Sequence, residues 1–218
     1  MTELTTLKEL NKKWESIKGK IKNQTTIRIH RALSWLNRAD QCDRDDLDIS
    51  ILCRWMAFNA LYGQWDLHNK QPLSERESWR VFADRIMDMD HQERLPFVLR
   101  RQQTRIRNMF ANKYLNPRLW REHVIANHQA KDHYVTKYQQ WRQQKEWINI
   151  FDELLERIYL IRCQLVHGAA TYQSHLNREN VNDCNIMLEE LLNTLCGIMF
   201  DNGLEEDWGI MCYPPLKI

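Results

Sequence analysis

Residues 147–168 read WINIFDELLERIYLIRCQLVHG, an apolar run with the periodicity of an α-helix. At about 100° per residue, with Phe151 set to zero, the apolar side chains cluster on one helical face between roughly 280° and 40°. These side chains are Leu154, Leu155, Ile158, Ile161 and Leu165. Arg162 falls at about 20°, inside that face. A guanidinium there needs hydrogen-bond acceptors, because an unpaired buried charge costs several kcal/mol.

His167 lies on the last turn of the same predicted helix, directly before Gly168. It falls at about 160°, some 140° from Arg162, so one regular helix cannot point both side chains at the same atom. Two arrangements would bring them together. Either the helix deforms at Gly168, or two copies of the chain pack these helices together and share a cleft. The second arrangement needs only a two-fold axis, and we therefore predict a homodimer.

The rest of the sequence favours an all-α fold. Only five prolines occur, and alternating patterns of the β type are hard to find. Further helical patterns cover residues 4–22, 26–39, 45–65 and the region from 177 onward. We predict a single helical-bundle domain over residues 1–218, with peripheral helices and an irregular C-terminal tail. Its predicted parts are a core at about 26–66 and 147–202 and a basic helical insertion at about 94–145.

The composition excludes several classes of protein. Hydrophobic residues make up 43% of the 218 residues and nine residues are Trp, which excludes a disordered chain. No apolar run reaches the roughly 18 residues of a membrane span, and the N-terminus has no apolar signal core, so we predict a cytoplasmic protein outside the membrane. The six cysteines form no C-x-x-C pair and the eight histidines no H-E-x-x-H motif. We therefore predict reduced thiols, no metal and no cofactor.

Positive charge is concentrated between residues 94 and 121. This window holds eight Lys and Arg residues and no Asp or Glu, so it carries +8, and the remainder of the chain carries −6 to give the net +2. Arginine beside aromatic rings is one way in which single-stranded RNA is bound. The candidates for RNA contact are Arg100, Arg101, Arg105 and Arg107. A solvated or partner-facing helix surface has the same composition, so both interpretations stay open.

Asn59 lies at one edge of a predicted helix whose apolar residues cover a wide arc. The helix contains Trp55, Phe58 and Leu61, and the width of the arc predicts a central position in the fold. A side-chain amide costs about 1 to 3 kcal/mol if it is buried without a partner, so Asn59 needs a definite one. A bond to a nearby backbone group and a role in a functional site are both open.

Several of these features together resemble one known family. Arg162 and His167 are separated by four residues and followed by Gly168, which is similar to the R-x4-6-H motif of the HEPN superfamily. The segments that are similar to one bacterial branch of that group are Trp55–Tyr62, Asn177-Arg178, and Asp207-Trp208-Gly209 with Pro214-Pro215. Residues 45–66 and 147–215 carry the likeness.

The resemblance implies a fold, an activity and partners. HEPN domains are all-helical, and the active members are metal-independent endoribonucleases that act as dimers, often in bacterial toxin–antitoxin, abortive-infection and CRISPR-associated systems. It follows from the resemblance that a homodimer cleaves RNA by attack of the neighbouring 2′-hydroxyl, and that a cognate antitoxin or defence-system protein is a further expected partner. The resemblance assigns proton transfer to His167 and binding of the phosphate to Arg162.

One position departs from the family pattern. The family usually has a polar residue directly after the arginine, and here that residue is Cys163. Gln164 supplies an amide one residue later, rotated by about 100° on the helix. We expect supporting roles for Cys163, Gln164 and Asn59, with simple packing as the alternative for Cys163. The alternative function is a non-catalytic HEPN-like module that binds RNA, a nucleotide or a partner protein.

Overall fold

A computed structural model describes residues 4–42, 45–117, 128–175 and 177–214, and their side chains except those of residues 128–132. Nine α-helices lie in these ranges, which confirms the predicted all-α fold. They are α1 (Leu7–Ile17), α2 (Gln24–Asp40), α3 (Leu47–Tyr62), α4 (Glu75–Met89), α5 (Arg94–Arg101), α6 (Gln103–Ala111), α7 (His128–Gln144), α8 (Trp147–Val166) and α9 (Arg178–Asn202). A single-turn 3₁₀ helix, Lys113–Leu115, follows α6.

Local side-chain bonds explain where several helices begin. The Thr6 side chain accepts from the Glu9 backbone while Glu9 reaches back to Thr6, which forms a complete capping box for α1. Asp46 accepts from the backbone N–H of Ile49 at the start of α3. Helix α1 ends at Ile17, earlier than the predicted residue 22, because Gly19 adopts a positive φ of 77° and breaks the helix.

Helix α3 occupies the centre of the fold, as the width of its apolar arc predicts. It packs between α2 and α9, and Trp55, Phe58 and Leu61 are buried. The Trp55 ring also meets the rings of Trp79 on α4 and Tyr159 on α8 at centroid distances of 6.1 and 5.7 Å. This aromatic cluster fixes the position of α8 relative to α3 and α4.

The basic segment shares the core of the bundle. Leu95, Val98 and Leu99 of α5 and Phe110 of α6 belong to the same continuous cluster of buried side chains as the residues of α3, α8 and α9. Tyr138 of α7 is also buried in it. Helices α5, α6 and α7 are therefore packed onto α8 and α9 through apolar contacts.

The C-terminal tail is irregular and packed against the bundle, as predicted. Trp208 is buried, and Met211 forms an isolated β-bridge with Gln64. The fully buried Arg28 donates to the carbonyl oxygens of Gly63 and Gly209 at 2.7 and 3.1 Å. One feature was not predicted. In the described part of the chain a single two-stranded sheet is present, in which β1 (Trp65–Asp66) pairs antiparallel with β2 (Gln71–Pro72).

Candidate functional site

Arg162 is half-buried on α8 and is held by an acidic residue of α4. Its Nη2 lies 3.3 Å from Oε1 of Glu75, with the two side chains 21% and 30% exposed. Glu75 is the first residue of α4, directly after the N-cap Ser74, whose side chain accepts from the backbone N–H of Glu77. The position of Glu75 is therefore fixed by the start of a capped helix. Arg162 has the acceptor that its sequence position requires.

Tyr159, one turn before Arg162, connects the members of this cluster. Its ring centroid lies 5.6 Å from the guanidinium carbon of Arg162 and 4.8 Å from that of Arg76. Burial raises the pKa of Tyr159, and hydrogen bonds with Cys163 and Glu75 raise it further. Partial burial opposes the charge of Arg162, but Glu75, Cys163 and Tyr159 outweigh it and raise its pKa. The guanidinium is thus a permanent cation with a defined orientation.

A row of polar contacts fixes α4 against α8 on the side of Arg162. Arg76 makes two hydrogen bonds to the Glu156 carboxylate at 2.5 and 3.0 Å. Asp152 accepts from both Arg80 and the indole N–H of Trp79. Because these bidentate pairs lock the two helices together, Glu75 and Arg162 are held in register.

His167 lies at the other end of the motif and faces solvent. Helix α8 ends at Val166, one residue earlier than predicted, and His167 occupies the C-cap position with its backbone N–H bonded to the Cys163 carbonyl at 2.9 Å. Gly168 follows with φ +69°, a conformation that few other residues adopt. The imidazole is exposed, and none of the described side chains forms a hydrogen bond with it. Arg162 therefore contacts α4 while His167 projects from the end of α8, and within one copy of the chain the two side chains share no bonding partner among the described residues.

The supporting residues differ in their surroundings. Asn59 is half-buried and accepts a hydrogen bond of 2.6 Å from the buried Tyr62 hydroxyl, so it has the definite partner that was predicted. Burial raises the pKa of Tyr62, and Glu75 raises it further.

The two residues after Arg162 also differ in their contacts. The Cys163 thiol lies 3.9 Å from Nη1 of Arg162. Nε2 of Gln164 is buried without an acceptor in the described part of the chain, which leaves an amide donor beside the motif.

Three of the four arginines proposed for RNA contact have an acidic partner in the fold. Nε of Arg105 lies 2.8 Å from Asp183, and Arg101 lies 3.8 Å from Glu190, both on α9. Arg100 is 3.6 Å from Glu93. Arg107 is exposed and has no acidic partner among the described residues. The window is therefore less positive in the folded chain than in the sequence, and its Arg118 and Arg121, like Pro215 of the tail, lie outside the described residues.

Arg157 is a residue that the helical periodicity did not single out. Its side chain is fully buried on α8, where Nη1 donates to the Leu115 carbonyl at 2.5 Å and Nη2 to Glu153 at 2.8 Å. The rings of Tyr134 and Phe110 lie 4.4 and 5.2 Å from its guanidinium carbon. With both faces of the guanidinium covered by protein, Arg157 has no room for a ligand and is structural.

No metal site or membrane helix is found in the described ranges. They contain no group of three His, Cys, Asp or Glu side chains placed to bind a metal ion. No helix among them is long and apolar enough to cross a membrane. One cavity of about 500 Å³ lies between α1, α2 and α9, and another of about 370 Å³ lies beside Trp65 and the C-terminal tail. Neither of these two cavities is lined by Arg162 or His167.

Comparison with known proteins adds no relative to this description. Neither a protein-family model, nor a curated protein, nor a solved structure is significantly similar to the chain. What the protein does must therefore be inferred from its residues and their geometry.

Proposed function

We propose that the chain is a metal-independent endoribonuclease of the HEPN type, in which Arg162 binds the scissile phosphate and His167 transfers protons. The observation that carries the proposal is the state of Arg162: it is anchored by Glu75 and Tyr159, yet its side chain is 21% exposed, five residues before an exposed His167. An anchored and accessible guanidinium is suited to bind a phosphate and to stabilise the charge that grows on it.

The reaction would proceed without a covalent enzyme intermediate. The 2′-oxygen of the ribose attacks the adjacent phosphorus, the bond from phosphorus to the 5′-oxygen breaks, and a 2′,3′-cyclic phosphate and a free 5′-hydroxyl form. One His167 accepts the proton of the 2′-hydroxyl, and a protonated His167 donates to the leaving 5′-oxygen. Arg162 stabilises the negative charge on the phosphate oxygens.

The separation of the two side chains supports a composite site in a homodimer. The side chains of Arg162 and His167 share no bonding partner in the described part of one chain, and two copies related by a two-fold axis would bring both pairs to one cleft. Val166 and Tyr172 are large exposed hydrophobic residues on either side of His167, 52% and 57% exposed. Such side chains are suited to the contact between two copies. From the resemblance to the HEPN superfamily, we also propose that the protein acts as a toxin or a phage-defence effector.

The direct test uses purified full-length protein, single-stranded RNA and an excess of EDTA. We expect the wild type to cleave the RNA and His167→Ala to be about 10² to 10⁴-fold slower, because a positioned proton-transfer group is lost. An oligonucleotide with a 2′-deoxyribose at the cleaved position should remain intact. Equal cleavage by the wild type and His167→Ala would sink the assignment.

The homodimer is tested separately from the chemistry. Sedimentation should give a mass of two chains, and the cleavage rate per chain should fall when the protein is diluted to its dissociation constant. A monomer that cleaves at full rate per chain would be compatible with the nuclease activity but would contradict a site shared by two chains.

A non-catalytic HEPN-like module is the second candidate. Cys163 favours it, because a thiol stands where active family members usually carry a polar residue, and Glu75 already neutralises Arg162. This candidate predicts RNA binding without cleavage at every pH between about 5 and 9, the range over which a histidine changes its charge.

A further inference from the structure

Helices α5, α6 and α7 form a part of the molecule with an unusual charge composition. Residues 94–117 and 133–145 contain no Asp or Glu. The cations of this part that face α9 are paired, as shown for Arg101 and Arg105. Five others are exposed and have no ion pair among the described residues. They are Arg107, Lys113, Lys137, Arg142 and Lys145.

Two of these cations flank the contact between α6 and α7. Tyr138 of α7 is buried against α6, with its ring 5.4 Å from Phe110 and its hydroxyl 3.3 Å from the Gln103 carbonyl. The guanidinium carbon of Arg142, one turn later on α7, lies 5.9 Å from the Tyr138 ring. At about 100° per residue, Arg107 is rotated by about 60° from Phe110 and by about 160° from Arg105, which faces α9. Arg107 therefore lies on the α7 side of α6.

Two more cations, Lys145 and Arg100, lie at the end of the contact between α6 and α7. The backbone N–H of Lys145 bonds to the Arg142 carbonyl at 3.3 Å, so the two residues are close. Lys145 is two residues before Trp147, whose ring lies 5.3 Å from the guanidinium carbon of Arg100. The junction surface is defined here as Arg100, Arg107, Arg142, Lys145 and Trp147.

The acidic groups near the junction surface are fewer than its cations. Glu93 lies 3.6 Å from Arg100 and is largely exposed, so water weakens this pair. Glu146 accepts a hydrogen bond from Asn149 at 2.6 Å. Lys137 is not included, because its charge acts on Glu153 of α8: burial raises the pKa of Glu153, and the nearby cations Arg157 and Lys137 oppose that rise. Four cations and two carboxylates leave the junction surface positive.

We propose that the junction surface binds the phosphate backbone of single-stranded RNA. This inference rests on the proposed function, which makes RNA the substrate. Of the four arginines predicted to contact RNA it keeps Arg100 and Arg107, and it replaces Arg101 and Arg105, which are paired with α9, by Arg142 and Lys145. The half-buried Trp147 packs against the core and lies under the Arg100 guanidinium, so it holds that cation in place at the surface.

The composition of α7 favours RNA over a lipid surface. A helix that binds a membrane interface needs an apolar face toward the acyl chains. The large hydrophobic side chains described for α7, Tyr134, Tyr138 and Trp141, pack against the core, and none belongs to the strongly exposed set. Charge without an exposed apolar face is what a polyphosphate requires.

The test measures RNA affinity in full-length protein that carries His167→Ala, so that cleavage does not interfere. The junction variant adds Arg107→Gln, Arg142→Gln and Lys145→Gln. The matched control adds Lys12→Gln, Lys20→Gln and Lys22→Gln, which remove the same charge from exposed positions near α1. Binding of a labelled single-stranded RNA is measured over a series of KCl concentrations, and unfolding curves verify that both variants fold.

For the junction variant we expect affinity to fall at least about 10-fold and the slope of log Kobs against log[salt] to shrink by about 0.7 for each lost phosphate contact. The control should keep the slope of the His167→Ala protein. Single-stranded DNA should bind with a similar slope, since the phosphates are shared. An unchanged slope in the junction variant overturns the proposal, and so does an equal loss of RNA affinity in the control. Binding to an acidic polypeptide but not to RNA would also overturn it.

These outcomes are distinguishable from failure of the nuclease proposal. Cleavage is measured with His167 intact, in the junction variant and in the control. If RNA binds at the junction surface but the wild type does not cleave it, the proposed RNA-binding surface is supported and the nuclease proposal is contradicted. Cleavage by the wild type, with full RNA affinity in the junction variant, would retain the enzyme and remove the surface.

Discussion

Arg157 and Arg162 lie five residues apart on the same helix and have opposite surroundings. The Arg157 side chain is 0% exposed, with a backbone carbonyl, a carboxylate and two aromatic rings around it. The Arg162 side chain is 21% exposed, and its carboxylate partner is itself 30% exposed. Burial lowers the pKa of Arg157, whereas the neighbours of Arg162 raise its pKa.

The two environments imply different roles for the same side chain. The cage around Arg157 leaves no surface to a ligand, so its bonds can stabilise only the packing of α8 against α6, α7 and the 3₁₀ turn. Arg162 keeps part of its guanidinium open to solvent while Glu75 and Tyr159 hold its orientation. A preorganised cation that a phosphate can reach is what phosphoryl chemistry needs.

The strongest effect is expected from replacing Arg157, which tests its structural role. Arg157→Ala should lower the free energy of unfolding by about 3 to 5 kcal/mol, because it leaves Glu153 and the Leu115 carbonyl without their buried partner. Arg162→Ala, the matched variant, should cost about 1 kcal/mol or less, since its ion pair is partly solvated. Urea unfolding of both variants measures the difference. Equal losses would contradict the assignment of one structural and one available arginine.

Cleavage of RNA tests the proposed role of Arg162 in stabilising the transition state. Arg162→Ala should reduce kcat by about 10² to 10³-fold in EDTA, because a charge that stabilises the transition state is lost. Arg162→Lys should recover only part of the rate, since a lysine lacks the planar donor set that can bind a phosphate with two bonds. A fully active Arg162→Ala protein would show that Arg162 is as structural as Arg157.

Glu75→Gln sharpens the role of the anchor. The amide removes the charge that orients Arg162 but keeps the size of the side chain, so we expect kcat to fall by about 10-fold while stability changes by less than about 1 kcal/mol. KM should change little if Glu75 acts on orientation alone. A rise in kcat would instead show that the Glu75 carboxylate competes with the phosphate for Arg162.

The smallest effect extends the comparison to a third arginine. Arg94 and Lys13 both contact Asp201, at 2.5 and 2.6 Å. Partial burial would raise the pKa of Asp201, but the hydrogen bonds from Lys13 and Arg94 outweigh it and hold the pKa below the ordinary 3.8. A depressed folded-state pKa gives stability that is present above the unfolded value and is lost as the pH falls through the folded value.

Asp201→Asn should therefore flatten the loss of stability below about pH 4 and cost about 0.5 to 1 kcal/mol at neutral pH. Unfolding curves recorded for both proteins across that range measure it. The same acid-side slope in both would mean that Asp201 has no role in acid sensitivity.

The all-helical fold could be predicted because its signals are local. The buried face of α8 is set by the spacing of Leu154, Ile158 and Ile161, all of which are buried. The need of Asn59 for a partner followed from its place at the edge of an apolar arc, and Tyr62 supplies that partner from three residues away.

The charge pattern could not be interpreted in the same way. The sequence window 94–121 has no acidic residue, but Arg94 and Arg105 are paired with acids 107 and 78 positions away in the chain. A count of neighbouring charges cannot include such partners. The candidate site has the same limit, because Glu75 lies on a different helix from Arg162 and no spacing rule connects them.

The helices and the apolar face of α8 could be derived from the order of the amino acids, since both depend on the 3.6-residue period and on neighbours within a turn or two. Which of the two arginines is enclosed depends on how distant segments pack against α8. Arg157 falls at about 240° on the helix, outside the apolar face, whereas Arg162 falls inside it, so periodicity alone would bury Arg162. The reverse is found because α6, α7 and the turn at Leu115 cover Arg157, while the end of α8 near His167 stays open.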